Sequence, residues 1–494
     1  MEFFFEWLPA DEWMNHLAAR DRDGNTPMHN AMKNASCNWL RTVMEKIDDD
    51  QKLSLLTICN GCNTTPMHLA TGSRDCFMIL LEFFAQERYE EVFRAGMIEQ
   101  ETPLHIAVKN KFRQISELLR FLPQQYRVEL LKMQDLSGKT ALHLAYDNDP
   151  QNSSVTIKDL LRSLQNVTSV QHPEEKQGQN QLEVLQVCDI NGQTILHYIT
   201  SQLLLNIPLL KACLASVDRL PPNLLKDLLG LADRNSCTVF HHAATIVVDE
   251  NVSENLLVVG LKAHNDALAE LVKSFQGGNG NHLYEIVCIK NSQLQTALHH
   301  AVRCNFKSVQ TLVDPLISCS SVSSIDLEEL LAIQDVDGNT LLHLAAKLSE
   351  LASVRYLCGV LDRISSRANI LKLRNQEGKT VLHQCNGNLE MMRAFIHGLT
   401  DAQRKELLFV VDNQGDTVFH SLAKPIINSE GYEIMCNQAC DMAFKELIEN
   451  LENDDVRIEA LCQLKNKLGG SAFEYILDNV GLEPVILTQV LDVL

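Results

Sequence analysis

The sequence predicts an all-α stack of helical repeats that runs along most of the chain. Three observations lead to this prediction. The pattern Thr-x-x-His occurs ten times in 494 residues, an apolar residue stands nine positions before each of those threonines, and a polar turn precedes most of them. A unit of this kind cannot bury its apolar face alone, so neighbouring units have to pack on one another.

The first helix of each repeat is expected to begin at the Thr-x-x-His pattern. A threonine hydroxyl can accept a hydrogen bond from a first-turn amide, and proline is tolerated at the next position. The histidine falls at the third helical position, from which its ring can reach back to the threonine. Ten of the 17 histidines stand here: Thr26/His29, Thr65/His68, Thr102/His105, Thr140/His143, Thr194/His197, Thr238/His241, Thr296/His299, Thr340/His343, Thr380/His383 and Thr417/His420.

These residues resemble the ankyrin repeat. Its T-P-L-H-x-A signature opens the first of two antiparallel helices, and TPMH, TPLH, TALH and TLLH stand in this chain after turns such as DRDGN, QDLSGK and QDVDGN. Glycine in such a turn tolerates a positive φ. The resemblance implies an ankyrin-repeat solenoid of about eleven long, divergent repeats that binds other proteins.

An extra short helix is predicted in most repeats. Successive threonines are 37 to 58 residues apart, whereas an ankyrin unit has about 33 residues. Segments such as LPQQYRVELL, LPPNLLKDLL and LTDAQRKELL read as short helices with their apolar residues on the core. The apolar residues nine positions before the threonines are Leu17, Leu56, Phe93, Leu131, Leu185, Leu229, Val287, Leu331, Leu371 and Leu408.

The beginning of the chain, with its Leu8-Pro9 pair, could be read as a targeting signal or the start of an F-box-like adaptor. However, Leu8-Pro9 stands 18 residues before Thr26, as Leu122-Pro123 stands 18 residues before Thr140. We therefore expect the same extra helix here, entering the first repeat as a half-unit. Three phenylalanines, at positions 3–5, are expected to pack on that repeat.

The expected organisation is a single solenoid over 1–494. Residues 1–21 form an N-terminal cap, and 22–423 hold ten repeat starts with insertions near 147–184 and 246–290. Residues 424–494 contain an insertion with an enlarged helix pair, a degenerate last repeat with Ser471 for Thr and Glu474 for His, and a C-terminal cap in which 483–494 form the last helix. The polar stretch 172–181 and the glycine-rich stretch 277–281 are expected to be loops.

Composition and motifs argue against several other functions. A net charge of −20 disfavours nucleic acid and anionic membranes. The repeated histidines recur once per unit, too far apart to share one ion. The pair Cys59/Cys62 falls in the polar turn before Thr65, a turn of the kind called a finger in ankyrin repeats. Cys436/Cys440 are expected to pack in a helix. No catalytic site, cofactor or metal is predicted, and 15 cysteines without a disulfide framework indicate a reducing, cytoplasmic environment.

The function we expect is non-catalytic protein binding through the concave surface formed by finger turns and first helices. The length and divergence of the repeats also resemble ankyrin effectors of intracellular bacteria of the Legionella and Coxiella kind, which would place the chain in a host cytoplasm. A eukaryotic scaffold, or an enzyme with a site hidden in one insertion, stays open. The candidate partner-binding residues are Leu136, Ser137, Lys139, Asn235, Ser236, Val336, Asp337, Asn339, Gln376, Glu377 and Lys379, facing a partner protein with a basic surface.

Overall fold

The structure is a computed structural model of the 494-residue chain. It describes residues 7–83, 89–94, 101–110, 115, 119, 122–149, 153–164, 174–202, 206–218, 220–246, 253–275, 280–423, 426–427, 433–434, 438–449, 451 and 454–478. These residues fall into two compact units, Met1–Val239 and Phe240–Leu494, which are described separately.

The first unit is built of three kinds of helix. The inner helices follow the Thr-x-x-His threonines: Pro27–Lys33, Pro66–Ala70, Pro103–Lys109, Ala141–Asn148 and Ile195–Thr200. The outer helices run back behind them: Cys37–Lys46, Arg74–Phe83, Ser153–Ser163 and Ile207–Val217. The added helices precede the next finger turn: Trp13–Leu17, Asp49–Thr57, Tyr89–Arg94, Gln124–Lys132, Glu174–Leu185 and Pro222–Leu229.

The second unit repeats this pattern. Its inner helices are Val239–Ala243, Ala297–Cys304, Leu341–Lys347, the short 3₁₀ turn His383–Cys385, Val418–Ala423 and Ala472–Asp478. Its outer helices are Glu254–Lys273, Phe306–Ser318, Leu351–Leu361, Leu389–Ile396 and Gln438–Glu449. Its added helices are Gly280–Val287, Ser324–Ala332, Arg367–Leu371, Asp401–Leu408 and Asp454–Ile458, the last continuing as a π-helix over Glu459–Gln463.

The helices of each kind form a row, so each unit has three rows instead of the two that a minimal helical pair would give. Cys37–Lys46 contacts Arg74–Phe83 in the outer row, and Gln124–Lys132 contacts Glu174–Leu185 in the added row. In the second unit, Ala297–Cys304 contacts Leu341–Lys347 in the inner row. This confirms the predicted all-α ankyrin-repeat fold with an added helix in most repeats.

The core side chains of the added row are the apolar residues nine positions before each threonine. All ten are at most 2% exposed, which confirms their prediction: Leu17, Leu56, Phe93, Leu131, Leu185, Leu229, Val287, Leu331, Leu371 and Leu408. The helix Trp13–Leu17 begins four positions after Pro9, and Gln124–Lys132 begins directly after Pro123. The phenylalanines at positions 3–5 lie outside the described residues.

The prediction of a loop at 172–181 is wrong from residue 174 onward, because the helix Glu174–Leu185 covers this part. Its polar composition is overridden by packing, since Leu182 and Leu185 are buried and the Gln181 amide donates to the carbonyl of Leu161 at 3.3 Å. A Cβ at Gly178 would come within 3.0 Å of the Leu220 side chain, so glycine allows this helix to approach closely.

The insertion at 424–464 also differs from the enlarged helix pair that was predicted. It contains a short antiparallel hairpin, Ile426–Ile427 with Glu433–Ile434, in which Ile426 pairs with Ile434. The helices Gln438–Glu449 and Asp454–Ile458 follow. Of the predicted loop 277–281, Gly280 and Asn281 begin a helix, whereas 277–279, like the predicted last helix at 483–494, lie outside the described residues.

Arginines of the added helices hold the ends of the outer helices. Arg127 donates to the Ser163 carbonyl at 2.6 Å, and Arg367, which is almost fully buried, donates to the Ala394 carbonyl at 2.8 Å. Both acceptors lie at the C-terminal end of an outer helix, where carbonyl groups lack helical partners and the helix dipole favours a positive charge. These contacts tie the two added helices Gln124–Lys132 and Arg367–Leu371 to the following repeat.

We expect Leu331→Ala to lower the free energy of unfolding by roughly 2–5 kcal/mol, because this side chain is 1% exposed and its removal leaves a cavity. Ile325→Ala is the matched control, since Ile325 lies on the same helix, Ser324–Ala332, and is 65% exposed. Urea titrations followed by circular dichroism measure both changes. Equal effects of the two substitutions would contradict the assigned packing.

Candidate partner-binding surface

Each finger is the tight five-residue turn that directly precedes a repeat threonine. The side chain of its first residue holds the turn together, and its second to fourth residues form the tip. In the fourth finger the Asp135 Oδ1 accepts hydrogen bonds from the amides of Ser137 and Lys139, both at 2.8 Å. The Gly138 amide donates to the Asp135 carbonyl at 2.9 Å, and Gly138 has φ +71°. An Asp or Asn at the first position and a residue that tolerates positive φ at the fourth are therefore what the turn requires.

Neighbouring fingers are joined by a backbone hydrogen bond between their tips. The Ile190 amide donates to the Ser137 carbonyl at 3.1 Å, and the Val336 amide donates to the Gln293 carbonyl at 3.0 Å. A Cβ at Gly138 would lie 2.6 Å from the Ile190 amide nitrogen, so this glycine is needed for the close approach as well as for its φ. Equivalent bonds run from Gly61 to Asp23, Arg234 to Asn191, Gln376 to Asp337, Asn413 to Glu377 and Lys467 to Gln414.

Nine of the ten repeat histidines fix the base of the next finger. In the eighth repeat the Thr340 amide donates to His343 Nδ1 at 3.2 Å, the Thr340 hydroxyl lies 2.8 Å from the same nitrogen, and Nε2 lies 3.1 Å from the Lys379 carbonyl oxygen of the next finger. The same Nε2-to-carbonyl contact is made by His29, His68, His105, His143, His197, His241, His383 and His420. The predicted capping roles of threonine and histidine are confirmed, and the bond to the next repeat is an addition.

These bonds require a neutral histidine. A carbonyl oxygen can only accept, so Nε2 carries the proton and Nδ1 accepts from the threonine amide. Burial lowers the pKa of His343 to about 4, although the bond to the Lys379 carbonyl acts in the opposite direction. Burial likewise lowers the pKa of His143, His299 and His383 to about 4. The ring therefore stays neutral at pH 7, and protonating Nδ1 would set it against an amide donor.

The structure places most of the predicted partner-binding residues at the surface of the fingers. Leu136, Ser137, Asn235, Val336, Asp337, Gln376 and Glu377 are exposed, whereas Lys139, Ser236 and Lys379 are half-buried. The Lys139 ammonium lies 2.6 Å from an Asp147 carboxylate oxygen, and that of Lys379 lies 2.6 Å from Glu377.

Asn339 differs from the other predicted partner-binding residues because its side chain is buried. It is 5% exposed, and its Oδ1 accepts from the Asn375 amide side chain of the next finger at 3.1 Å. Its side chain holds two fingers together below their tips, and the expectation that it contacts a partner is corrected. The position directly before the capping threonine faces the neighbouring repeat, which the sequence pattern alone did not distinguish from the tip.

Among the exposed apolar tip residues that the sequence analysis did not select are Ile190 and Leu294. Ile190 is 58% exposed beside Leu136, which is 60% exposed, and Leu294 is 48% exposed beside Val336 at the same value. In each pair the two fingers are adjacent and joined by the tip hydrogen bond given above. Comparing hydropathy at aligned turn positions would have found both residues.

The inner helix beside the first pair adds a tyrosine to the surface. The Tyr198 hydroxyl donates to the Asp189 carboxylate at 2.9 Å, and the Lys139 ammonium lies 5.7 Å from the centre of the Tyr198 ring. Burial, followed by the hydrogen bond to Asp189, raises the Tyr198 pKa, so the hydroxyl remains a donor. Tips and first turns of inner helices thus form one continuous surface here.

The described residues contain no group of three His, Cys, Asp or Glu side chains placed to hold a metal ion. Cys59 and Cys62 lie in the second finger as predicted, where Asn60 Oδ1 accepts from the Cys62 amide at 3.0 Å. Cys440 lies in the helix Gln438–Glu449, and Cys436 is outside the described residues. Among the helices that the structure describes, none has the length and apolar character needed to cross a bilayer.

Neither a protein-family model nor a curated protein sequence matches this chain. Solved structures that are similar to it include two ankyrin-repeat proteins. The ankyrin repeat domain of Bcl-3, an IkappaB family member, has 16% identity and a TM-score of 0.35, covering 61% of this chain and 99% of its own. The ankyrin repeat protein EF0377 has 14% identity and a TM-score of 0.32, covering 49% and 98%. The fold assignment rests on the repeat geometry described above.

Thr340→Ala is expected to lower the free energy of unfolding by about 1–2 kcal/mol, because the substitution removes the hydroxyl of a buried helix cap. Thr42→Ala is the control, since Thr42 is half-buried in the middle of an outer helix and its hydroxyl donates to the Asn38 carbonyl of the same helix. Denaturant midpoints measure both. A Thr340 variant as stable as the Thr42 variant would count against the capping role.

Stability is expected to fall as the pH drops from 6.5 toward 4. The histidine pKa is about 4 in the folded chain for His343 and 6.5 in the reference state, so the unfolded chain binds more protons in this window. The stabilising contribution is complete above pH 6.5 and is lost as pH falls through the folded pKa. Urea midpoints at pH 7, 5.5 and 4.5 measure the loss.

His343→Gln provides the comparison for that titration, because glutamine at the third helical position can still cap but does not titrate. We expect this variant to lose less stability between pH 7 and 4.5 than the unaltered chain does. An identical pH dependence of the two proteins would show that His343 is not among the groups responsible.

Proposed function

We propose that this chain is a non-catalytic protein-binding scaffold whose partner surface consists of the finger tips and the adjoining turns of the inner helices. The observation that carries the proposal is the pairing of exposed aliphatic residues on adjacent fingers. Leu136 pairs with Ile190 in the first unit, and Leu294 pairs with Val336 in the second.

The turn itself does not call for apolar residues at these positions. Its chemistry requires only Asp or Asn at the first position and a positive φ at the fourth. Leu136, Ile190 and Val336 stand at the second position, which is Arg22, Arg234, Gln376 or Lys467 in other fingers. Leu294 stands at the fourth position, which is the polar residue Asn63 or Ser236 in two other fingers. Large aliphatic side chains exposed side by side favour burial against another molecule, and such patches are typical of protein-interaction sites. A polar residue would have served the turn equally well.

The fingers are also rigid before any partner arrives. Most of the described tips are held by their own Asx bonds, by a backbone bond to a neighbouring tip, and at the base by a histidine of the preceding repeat. A surface that is already ordered loses little conformational entropy on association, and this improves affinity for a given contact area.

The charge of the chain suggests which kind of partner would be recognised. The net charge is −20, and Asp337 and Glu377 are exposed at tips next to the apolar residue Val336. A partner with an apolar contact area surrounded by basic residues would complement this surface. Its association rate would then decrease with increasing ionic strength.

Two further features belong to the proposal. The repeats are taken to form one continuous solenoid over 1–494, with caps at both ends. The partner is taken to be a host protein and the chain an effector of an intracellular bacterium; the length and divergence of the repeats support this origin.

The test is affinity capture from a eukaryotic lysate with the full chain and two double variants, Leu136→Ser with Ile190→Ser and Leu294→Ser with Val336→Ser. We expect one or both pairs to reduce capture of a specific protein about tenfold or more, since loss of buried apolar contacts costs at least about 1.4 kcal/mol. Capture at 50 and 300 mM salt tests the charge complementarity.

The controls are Val155→Ser and Ile325→Ser. Both residues are 65% exposed, Val155 on an outer helix and Ile325 on an added helix, so they test exposed apolar residues away from the fingers. Melting curves of all variants accompany the capture. Unchanged capture by both tip variants, or equal loss with the controls, would refute the assigned surface.

A further inference from the structure

Two cysteines of neighbouring repeats stand face to face in the outer row. The sulfur atoms of Cys37 and Cys76 lie 3.3 Å apart. Cys37 is the first residue of the helix Cys37–Lys46, and Cys76 is the third residue of Arg74–Phe83. Each stands eleven positions after the capping threonine of its repeat, so the register of the stack brings them together.

We propose that Cys37 and Cys76 form a reversible thiol–disulfide site, which a peroxide oxidant closes to link the outer helices of the first two repeats. A disulfide has a sulfur–sulfur distance of about 2.05 Å. The two sulfur atoms therefore need to approach by little more than about 1 Å, which side-chain rotation and small helix shifts can supply. In the structure both cysteines are free thiols.

The two thiols differ in the way that a two-step oxidation needs. Cys37 is half-buried and is the first residue of its helix, so its thiol is the more accessible of the two. Cys76 is fully buried, and burial raises the pKa of its thiol to about 11, so it stays protonated and out of reach of solvent. Cys37 is thus the residue that meets the oxidant, and Cys76 is the one that resolves the product.

The chemistry balances with hydrogen peroxide as the oxidant. The Cys37 thiolate attacks one peroxide oxygen, giving a sulfenic acid and hydroxide. The Cys76 sulfur then attacks the sulfenic sulfur, the S–S bond forms, and the hydroxyl leaves as water with the Cys76 proton. In sum, two thiols lose two electrons and two protons, and the peroxide becomes two molecules of water.

The link would act on the contact between the first two repeats. A bond between residues 39 positions apart restricts the unfolded chain and holds the first repeat on the second. We expect oxidation to raise the thermal midpoint of the N-terminal repeats, and a thiol reductant to reverse the increase.

The experiment treats the full chain, purified under reducing conditions, with hydrogen peroxide and then blocks remaining thiols with N-ethylmaleimide. Tryptic digestion without reductant gives peptides 34–41 and 75–88, each with one cysteine, and mass spectrometry detects their cross-linked product. Peptide 53–74 carries the exposed Cys62, whose modification shows that the oxidant has acted.

The expected result is a linked 34–41/75–88 product that disappears on reduction and persists in the control variant Cys62→Ser. In Cys76→Ser the link is lost, and dimedone traps a sulfenic acid on Cys37. Absence of the linked product in a sample whose Cys62 is oxidised would overturn the proposal. So would oxidation of Cys76 in the Cys37→Ser variant at the rate seen in the unaltered chain.

Discussion

The two ring nitrogens of the repeat histidine determine how neighbouring units meet. One nitrogen accepts from the amide at the start of its own inner helix, and in nine of the ten repeats the other donates to a carbonyl at the base of the next finger. Both bonds are buried, so losing either would leave a polar group without a partner in an apolar environment. The bonds between finger tips and the positions of the tip residues depend on this contact, because it holds the last residue of the next finger.

The added helices extend the same principle of stacking to a third row. Their leucines complete a core that a pair of inner and outer helices would leave open on one side. Arg127 and Arg367 reach from this row to outer-helix ends of the following repeat, where they satisfy carbonyl groups. The third row is therefore bonded to its neighbours through polar as well as apolar contacts, and each repeat touches the next along its whole width.

Much of this architecture could be predicted because the signals repeat. Ten copies of one capping pattern identify the inner helices, and ten apolar residues at a constant offset identify the added helices. Where a segment occurs once, prediction was poorer. The helix beginning at Glu174 is polar in sequence and forms because Leu182 and Leu185 are drawn into the core. The hairpin at Ile426 has no counterpart in the parts of the other repeats that the structure describes.

The candidate surface was predictable in position but not in detail. Turn residues are exposed as a class, and Leu136 and Val336 could be selected from the sequence. Asn339 could not be separated from them, because its burial depends on Asn375 of another finger. The pairing of Ile190 with Leu136 likewise depends on two fingers 54 residues apart in the chain. Such properties belong to the contact between repeats rather than to any one repeat.

The histidine-to-carbonyl bond makes the distance between neighbouring fingers independent of the number of residues in the repeat. It joins residues from 33 to 54 positions apart while its length stays between 2.9 and 3.2 Å. Insertions in the outer and added rows can therefore accumulate without disturbing the alignment of the fingers. During evolution the outer and added rows could therefore lengthen and diversify while the fingers kept a constant spacing. The fold is tolerant of insertions and deletions in those two rows.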